Sequence, residues 1–147
     1  MNLLETQFAK YLIGVIRYNV DQAIVKQKLG PRTFYSRYKP LSKRWKAAKK
    51  RHGLAQGFWR ATTFLQNNIR IWQAGEVSYI GFPDNIIHPR NGQSLHIISL
   101  ALELGSKKRN IPARPLFKPV SENISKNIFA YFTQFIKLFH PEYEQFI

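Results

Sequence analysis

Leu100-Ala101-Leu102-Glu103-Leu104-Gly105-Ser106-Lys107-Lys108-Arg109-Asn110-Ile111-Pro112-Ala113-Arg114-Pro115-Leu116-Phe117 is the run on which the reading of this chain turns. Just before and into it, Leu95, Ile98 and Leu102 recur at three- and four-residue spacing, as do Ile97, Ala101 and Leu104. That spacing predicts a helix over residues 94–104. Ser94 is the expected N-cap, and Gly105 can take the left-handed conformation that closes a helix. Pro112 and Pro115 push Ile111 and Arg114 toward extended backbone. Neither proline donates to a ladder, so residues 112–118 suit an edge strand or an extended arm. Arg114 then presents a pre-organised guanidinium suited to a bidentate carboxylate contact. Glu103 is the expected partner, reached if residues 105–111 fold back. The other placements for Arg114 are a subunit boundary and solvent.

Working outward, residues 2–29 read as one long helix. Leu4, Phe8, Tyr11, Leu12, Val15, Ile16, Val20, Ala23 and Ile24 form its apolar stripe, and Gly30-Pro31 is the expected stop. Residues 30–42 read as an extended loop in which Arg32, Arg37 and Lys39 alternate with Phe34, Tyr35 and Tyr38. Such interleaving binds single-stranded nucleic acid by charge and stacking. It equally describes an arm that packs on a neighbouring subunit, which is the preferred reading. A basic helix is expected over residues 42–52 with Ser42 as cap, Trp45 and Ala48 on its faces and Gly53 as its end. A helical turn carrying Phe58, Trp59 and Leu65 follows. Alternation over residues 68–73 and 76–82 predicts a β-hairpin with Ala74-Gly75 as its turn. Both strands carry apolar residues on both faces, so one face is expected to cover helices and the other to meet another chain.

Residues 83–94 read as a second extended loop. A final helix is expected over residues 119–140, with Pro119 in its first turn. Ile124, Ile128, Tyr131, Phe132, Phe135, Leu138 and Phe139 make its stripe, widened by Phe129 and Ile136. A stripe this wide is either ordinary core or partly buried between subunits. The acidic tail with Glu142 and Glu144 is suited to a neighbour's basic block.

The chain of 147 residues is long enough for one domain with a real core, and 44% hydrophobic content argues against whole-chain disorder. Net charge is +15, and the distribution matters more than the total. No acid occurs between Asp21 and Glu76, whereas Lys26, Lys28, Arg32, Arg37, Lys39, Lys43, Arg44, Lys46, Lys49, Lys50, Arg51, Arg60 and Arg70 all do. Such a block binds polyanions at least non-specifically and favours acidic protein surfaces; otherwise it is a solvated helix face. The candidate partner or nucleic-acid contacts are Arg32, Arg37, Lys39, Lys43, Arg44, Lys46, Lys49, Lys50 and Arg51. Cysteine is absent, which removes disulfides and thiolate metal sites. No apolar stretch reaches transmembrane length and no signal-like leader is read, so no membrane partner is expected.

His52, His88, His96 and His140 fall at no metal-binding spacing. There is no Gly-rich phosphate loop and no Gly-x-Ser-x-Gly elbow. His96 and Glu103 share a helix face at seven-residue spacing, a pattern far more often structural than catalytic. The reading therefore includes no catalytic residue, no cofactor and no metal, and the protein is expected not to be an enzyme.

The run from Glu103 through Gly105 to Ile111-Pro112-Ala113-Arg114-Pro115 and Phe117 resembles the signature of the bacteriophage tail-completion family, also called the virion-morphogenesis or minor-tail-protein family. The family pattern is Glu-x-Gly at a helix end, then Ile/Met-Pro-Ala-Arg-Pro and apolar residues. The likeness is best over residues 94–120 and looser over 42–82, where residues 63–69 stand at the place of a Gly-x-Leu-x-x-Ser-Ile-like segment. It implies a single α+β domain over residues 1–147, with a small antiparallel sheet packed against long N- and C-terminal helices. It also implies a virion protein that completes the head-proximal end of the tail or joins tail to neck. Such proteins usually work as rings, most often hexamers. The implied partners are copies of itself, neighbouring neck or connector proteins, tail-tube or terminator proteins, and passing DNA. The implied location is the virion, and the host cytoplasm before assembly. The alternative is a nucleic-acid-binding protein that uses the basic, aromatic region 26–60.

Overall fold

The apolar stripe of the first helix is buried along its C-terminal half, where Val20, Ala23 and Ile24 reach the centre of the core. In the computed structural model, residues 3–29, 32–33, 39–54, 57–59 and 64–147 are described, with backbone alone at 28–29 and 32–33. Helix α1 (Leu3–Lys26) ends at Gln27, which takes a φ of +54°. This is ahead of Gly30-Pro31, the expected stop, which lies outside the described residues. Past α1 the backbone forms a short antiparallel ladder, β1 (Lys28–Leu29) with β2 (Arg32–Thr33).

Helix α2 (Lys43–Arg51) starts where Ser42 accepts a bond from the Trp45 N–H at 3.2 Å, as its sequence suggests. It closes through Gly53, whose φ is +62°. The turn expected around Phe58 and Leu65 is described only in part, and its helical portion is α3 (Phe64–Asn67). Strands β3 (Arg70–Ala74) and β4 (Val77–Gly81) form the expected antiparallel hairpin. Ala74 pairs with Val77, so the turn is Gly75-Glu76, one position later than read. Gly75 has the positive φ, +62°, that a two-residue hairpin loop requires. Arg17 ties α1 to this hairpin: it pairs with Asp21 at 2.9 Å and donates to the carbonyl of Ile69, the residue before β3.

Helix α4 (Leu95–Leu104) begins at Ser94, whose hydroxyl accepts from the His96 N–H at 3.2 Å. The preceding loop is closed by an Ile87–Ser94 bridge. The final helix differs from expectation at both ends of its first half. It starts at Phe117, not Pro119, and it breaks at Asn127 into α5 (Phe117–Lys126) and α6 (Ile128–Phe139). A 3-10 turn over Pro141–Phe146 follows. The break has a local cause: Asn127 sits at φ −110° and ψ 17°, and its side chain donates back to the Asn123 carbonyl at 2.7 Å.

The early start of α5 is set from a distance. Glu103, on the last turn of α4, accepts from three successive N–H groups: Leu116 at 2.7 Å, Phe117 at 3.2 Å and Lys118 at 3.0 Å. The next residue, Pro119, has no N–H. The first intrahelical bond then runs from the Val120 N–H to the Leu116 carbonyl at 3.4 Å. The donors that a helix start leaves orphaned are thus all accounted for, and a carboxylate stands at the positive end of the helix dipole.

Two packed regions result. Phe58, Trp59, Ile69, Phe82, Leu95, Leu116, Val120 and Ile124 close over α1. At the other end of α1, Phe8 and Tyr11 pack on α6, with Phe8 at 5.1 Å from Phe132 and Tyr11 at 5.6 Å from Phe135. Burial, with a smaller contribution from Tyr131, raises the Tyr11 pKa above its ordinary value. The architecture is a small α+β fold.

Removing the carboxylate that caps α5 should be costly. We expect Glu103→Ala to lower the urea-unfolding free energy by about 2 kcal/mol, since it orphans N–H groups that a charged acceptor now satisfies. Thermal or urea denaturation of the variant measures this directly.

Candidate functional site: a cationic, aromatic-walled pocket

Gly105 reverses the chain after α4. Its φ is +80°, and a Cβ there would sit 2.8 Å from the Ala113 nitrogen and 3.0 Å from the Ile111 oxygen. Residues 106–111 fold back as a closed loop, with Ser106 and Ile111 exchanging bonds of 2.7 and 2.9 Å. The Arg114 N–H then reaches the Leu102 carbonyl at 2.8 Å. The fold-back expected from the sequence is present. The edge strand is not: residues 112–115 join no ladder.

The expected Glu103–Arg114 pair is not made. Glu103 is engaged by the N-terminus of α5, a stronger claim on one carboxylate than a single guanidinium because three donors converge on it. Arg114 turns the other way. It is only 7% exposed, lies 5.0 Å over the Phe58 ring, and donates to the Lys39 carbonyl at 3.2 Å and to the Pro40 carbonyl at 3.4 Å. Its own carbonyl accepts from the Trp59 indole at 2.8 Å. Burial lowers its pKa below the usual arginine value, and the group stays charged. Arg114 therefore clamps residues 39–40, which lead into α2, to the core.

Lys49 corrects a second expectation. Read as one of the outward contact cations of α2, it is only 2% exposed. Its ammonium donates to the Gly57 carbonyl at 2.8 Å and sits 5.8 Å from the Trp45 ring. The segment it holds is fixed from the other side by Gln27. That amide donates to the Phe58 carbonyl at 3.0 Å and accepts from the Phe58 N–H at 2.6 Å. A Cβ at Gly57, whose φ is +103°, would meet the Gln27 oxygen at 2.5 Å, so glycine is required there.

Between these parts lies a pocket of about 550 Å³. Trp45, Phe58 and Trp59 supply its aromatic walls, and Lys39, Lys49 and Arg114 are its charged lining. Among the described residues, no carboxylate lines it. The signature residues Ile111 and Pro112 form one rim, whereas Ala113 is exposed and Pro115 half-buried behind it. Phe117 packs edge-on against Trp59 at 5.9 Å and Phe82 at 6.1 Å. Of the remaining expected contact residues, Lys43, Arg44, Lys46, Lys50 and Arg51 are exposed on α2, as read. Arg32 lies on β2 with its side chain outside the description, and Arg37 with the aromatic residues around it lies outside the described residues. Gln27 was missed by sequence reasoning, and nothing local marks it: its role exists only because Phe58 is brought beside the end of α1.

The fold and site thus define a small α+β protein with a cationic, aromatic-walled pocket. Among known proteins, no family model, no curated protein and no solved structure matches the chain. The likeness of residues 94–120 to the tail-completion signature rests on those residues.

Two substitutions probe this region. Gly105→Ala should destabilise the protein by about 1–3 kcal/mol, because the positive φ and the contact with Ala113 both oppose a side chain. Arg114→Lys should cost about 2 kcal/mol, since a single ammonium cannot reproduce the forked contact to two carbonyls over the Phe58 face. Urea titrations of both variants report these losses; a wild-type midpoint in Arg114→Lys would mean that the clamp carries no stability.

Proposed function

We propose that this protein is a structural component of a bacteriophage particle. It completes the head-proximal end of the tail or joins tail to neck, acting as a ring of its own copies, and it performs no catalysis. The observation that carries the reading is the β3–β4 hairpin. Every residue of β3 is exposed, and among the described residues neither strand has a further partner. Ile71, Trp72, Val77 and Tyr79 are large apolar side chains left largely open, with Trp72 and Tyr79 stacked at 5.6 Å. A lone hairpin of this kind is marginal, and a flat apolar edge invites another chain.

Other surfaces support the same reading. Leu104 on α4 is 73% exposed, and Phe129, Leu138 and Phe139 on α6 are open as well. The surplus of the α6 stripe is therefore surface, of the kind that marks protein contacts. The signature residues act on the fold itself: Glu103 caps, Gly105 turns and Arg114 clamps. That suits a part whose function follows from geometry. The exposed cations of α2 fit acidic surfaces on neck, connector, tube or terminator proteins, and DNA in transit passes such a ring. The protein belongs in this reading to the virion, and to the host cytoplasm before assembly.

A second reading, a nucleic-acid-binding protein using region 26–60, is favoured by one observation. Lys43, Arg44, Lys46, Lys50 and Arg51 are exposed together on one short helix that contains no acid.

Light scattering at about 50 mM and about 500 mM salt separates the two, because screening weakens charge contacts and spares apolar ones. We expect a ring mass near six copies at both. The double variant Trp72→Lys/Val77→Lys should fall to a monomer with an unchanged circular dichroism spectrum. A wild-type monomer whose DNA affinity drops steeply with salt would favour the second reading.

A further inference from the structure

The ring reading leaves open what the outward face of the hairpin meets. We propose that the β3–β4 hairpin of one copy docks in the groove between α1 and α6 of the next copy; the proposal rests on the ring reading above.

The hairpin supplies one half of the contact. Ile71, Gln73 and Ser78 lie beside Thr6, Ala9 and Ile13 of the chain's own α1. Trp72 stands opposite Tyr79 in the register and Ala74 opposite Val77, and alternation sends these four to the other face. Trp72 and Tyr79 stack there at 5.6 Å, and both remain open to solvent, as does Val77. The face is an apolar, aromatic ridge that the described residues of its own chain leave uncovered. A two-stranded hairpin gains stability when such a face is packed. Its turn carries Glu76, the only acid between Asp21 and Asp84.

The groove supplies the other half. It encloses about 540 Å³ between α1 and α6. Lys10, Gly14 and Tyr18 follow one another at four-residue spacing along its α1 wall, and Tyr131 and Gln134 stand on its α6 wall. Gly14 is the informative residue. It sits inside a helix, where glycine is less stable than alanine. Its φ is not positive, and among the described residues a Cβ there would meet nothing within 4 Å. Packing among those residues therefore gives no reason for the missing side chain. A second chain does, because glycine lets another backbone or a large side chain approach the helix closely. Tyr18 is exposed and Tyr131 half-buried, so both offer aromatic surface to Trp72 and Tyr79. Charge selects one direction of entry. Lys10 is the only charged residue among those that line the groove, and it meets Glu76 when the hairpin turn points toward the N-terminal end of α1. Lys10 also borders the space beneath the chain's own hairpin, so the outgoing hairpin and the receiving groove occupy neighbouring sides of α1. Each copy then gives one surface and receives on another, a head-to-tail contact of the kind that closes into a ring when the rotation permits.

The test has two parts, both on the full chain. Gly14→Trp fills the groove, and tryptophan is a better helix former than glycine, so the helix is kept. Light scattering should show its mass fall from the ring to a single copy, with an unchanged circular dichroism spectrum. The second part leaves the groove intact and does not depend on that variant folding. The chain contains no cysteine, so Val77→Cys and Leu138→Cys each carry a unique thiol. Leu138 is exposed and lies one turn beyond Gln134. It stands toward the N-terminal end of α1, since Gln7 meets His140 at 2.8 Å. A short bismaleimide should join the two variants when they are co-expressed, and should join neither variant to itself. A ring that survives in folded Gly14→Trp, or a co-expressed pair that yields no crosslink within an intact ring, overturns the docking and leaves the ring. So does a crosslink of Val77→Cys to itself, which would place hairpin against hairpin. Crosslinked open chains of mixed length keep the docking and sink the closed ring. A monomeric wild type whose variants do not crosslink overturns both.

Discussion

Three N–H groups at the start of α5 converge on the carboxylate of Glu103, and the rest of the architecture depends on that contact. It fixes the end of α4 to the beginning of the C-terminal helices. Leu116 is thereby set into the core, fully buried, with Val120 and Ile124 following on the same face against α1. The intervening chain has little choice. Gly105 turns it, the 106–111 loop closes on itself, and Arg114 is delivered under residues 39–40. A carboxylate facing a helix N-terminus does two things at once: it satisfies orphan donors and it complements the dipole.

The arginine released from that carboxylate organises the opposite side. Its clamp on residues 39–40 sets the approach to α2, and its carbonyl anchors Trp59. Lys49 and Gln27 hold the adjoining segment at Gly57 and Phe58. The result is a pocket in which Lys49 and Arg114 are positioned by backbone carbonyls. Elsewhere the molecule leaves apolar surface open on the hairpin, α4 and α6. Apolar area of this kind marks protein contact surfaces.

Much of the fold was legible because its signals are local. Ser42 and Ser94 cap the helices they precede, and Gly53 and Gly105 end them, since capping is settled within a turn of chain. The hairpin was read from alternation and missed its turn by one position, because both Ala74-Gly75 and Gly75-Glu76 place the glycine where a positive φ is needed. Asn127 was less legible: an asparagine within a continuous apolar stripe breaks the helix through its side chain, which periodicity does not register.

What the sequence by itself determined is therefore most of the helices, the hairpin, the apolar faces and the fold-back after Gly105, all consequences of spacing, prolines and a glycine. What only the tertiary structure decided is who meets whom. Glu103 and Arg114 looked like partners because they are the scarce acid and the stiffened base of one motif, yet each bonds backbone instead. Lys49 looked like its neighbours on α2, yet it faces inward to the Gly57 carbonyl. Burial drives polar groups toward the acceptor or donor that packing brings near. Spacing along the chain names the candidates, and only packing in three dimensions chooses among them.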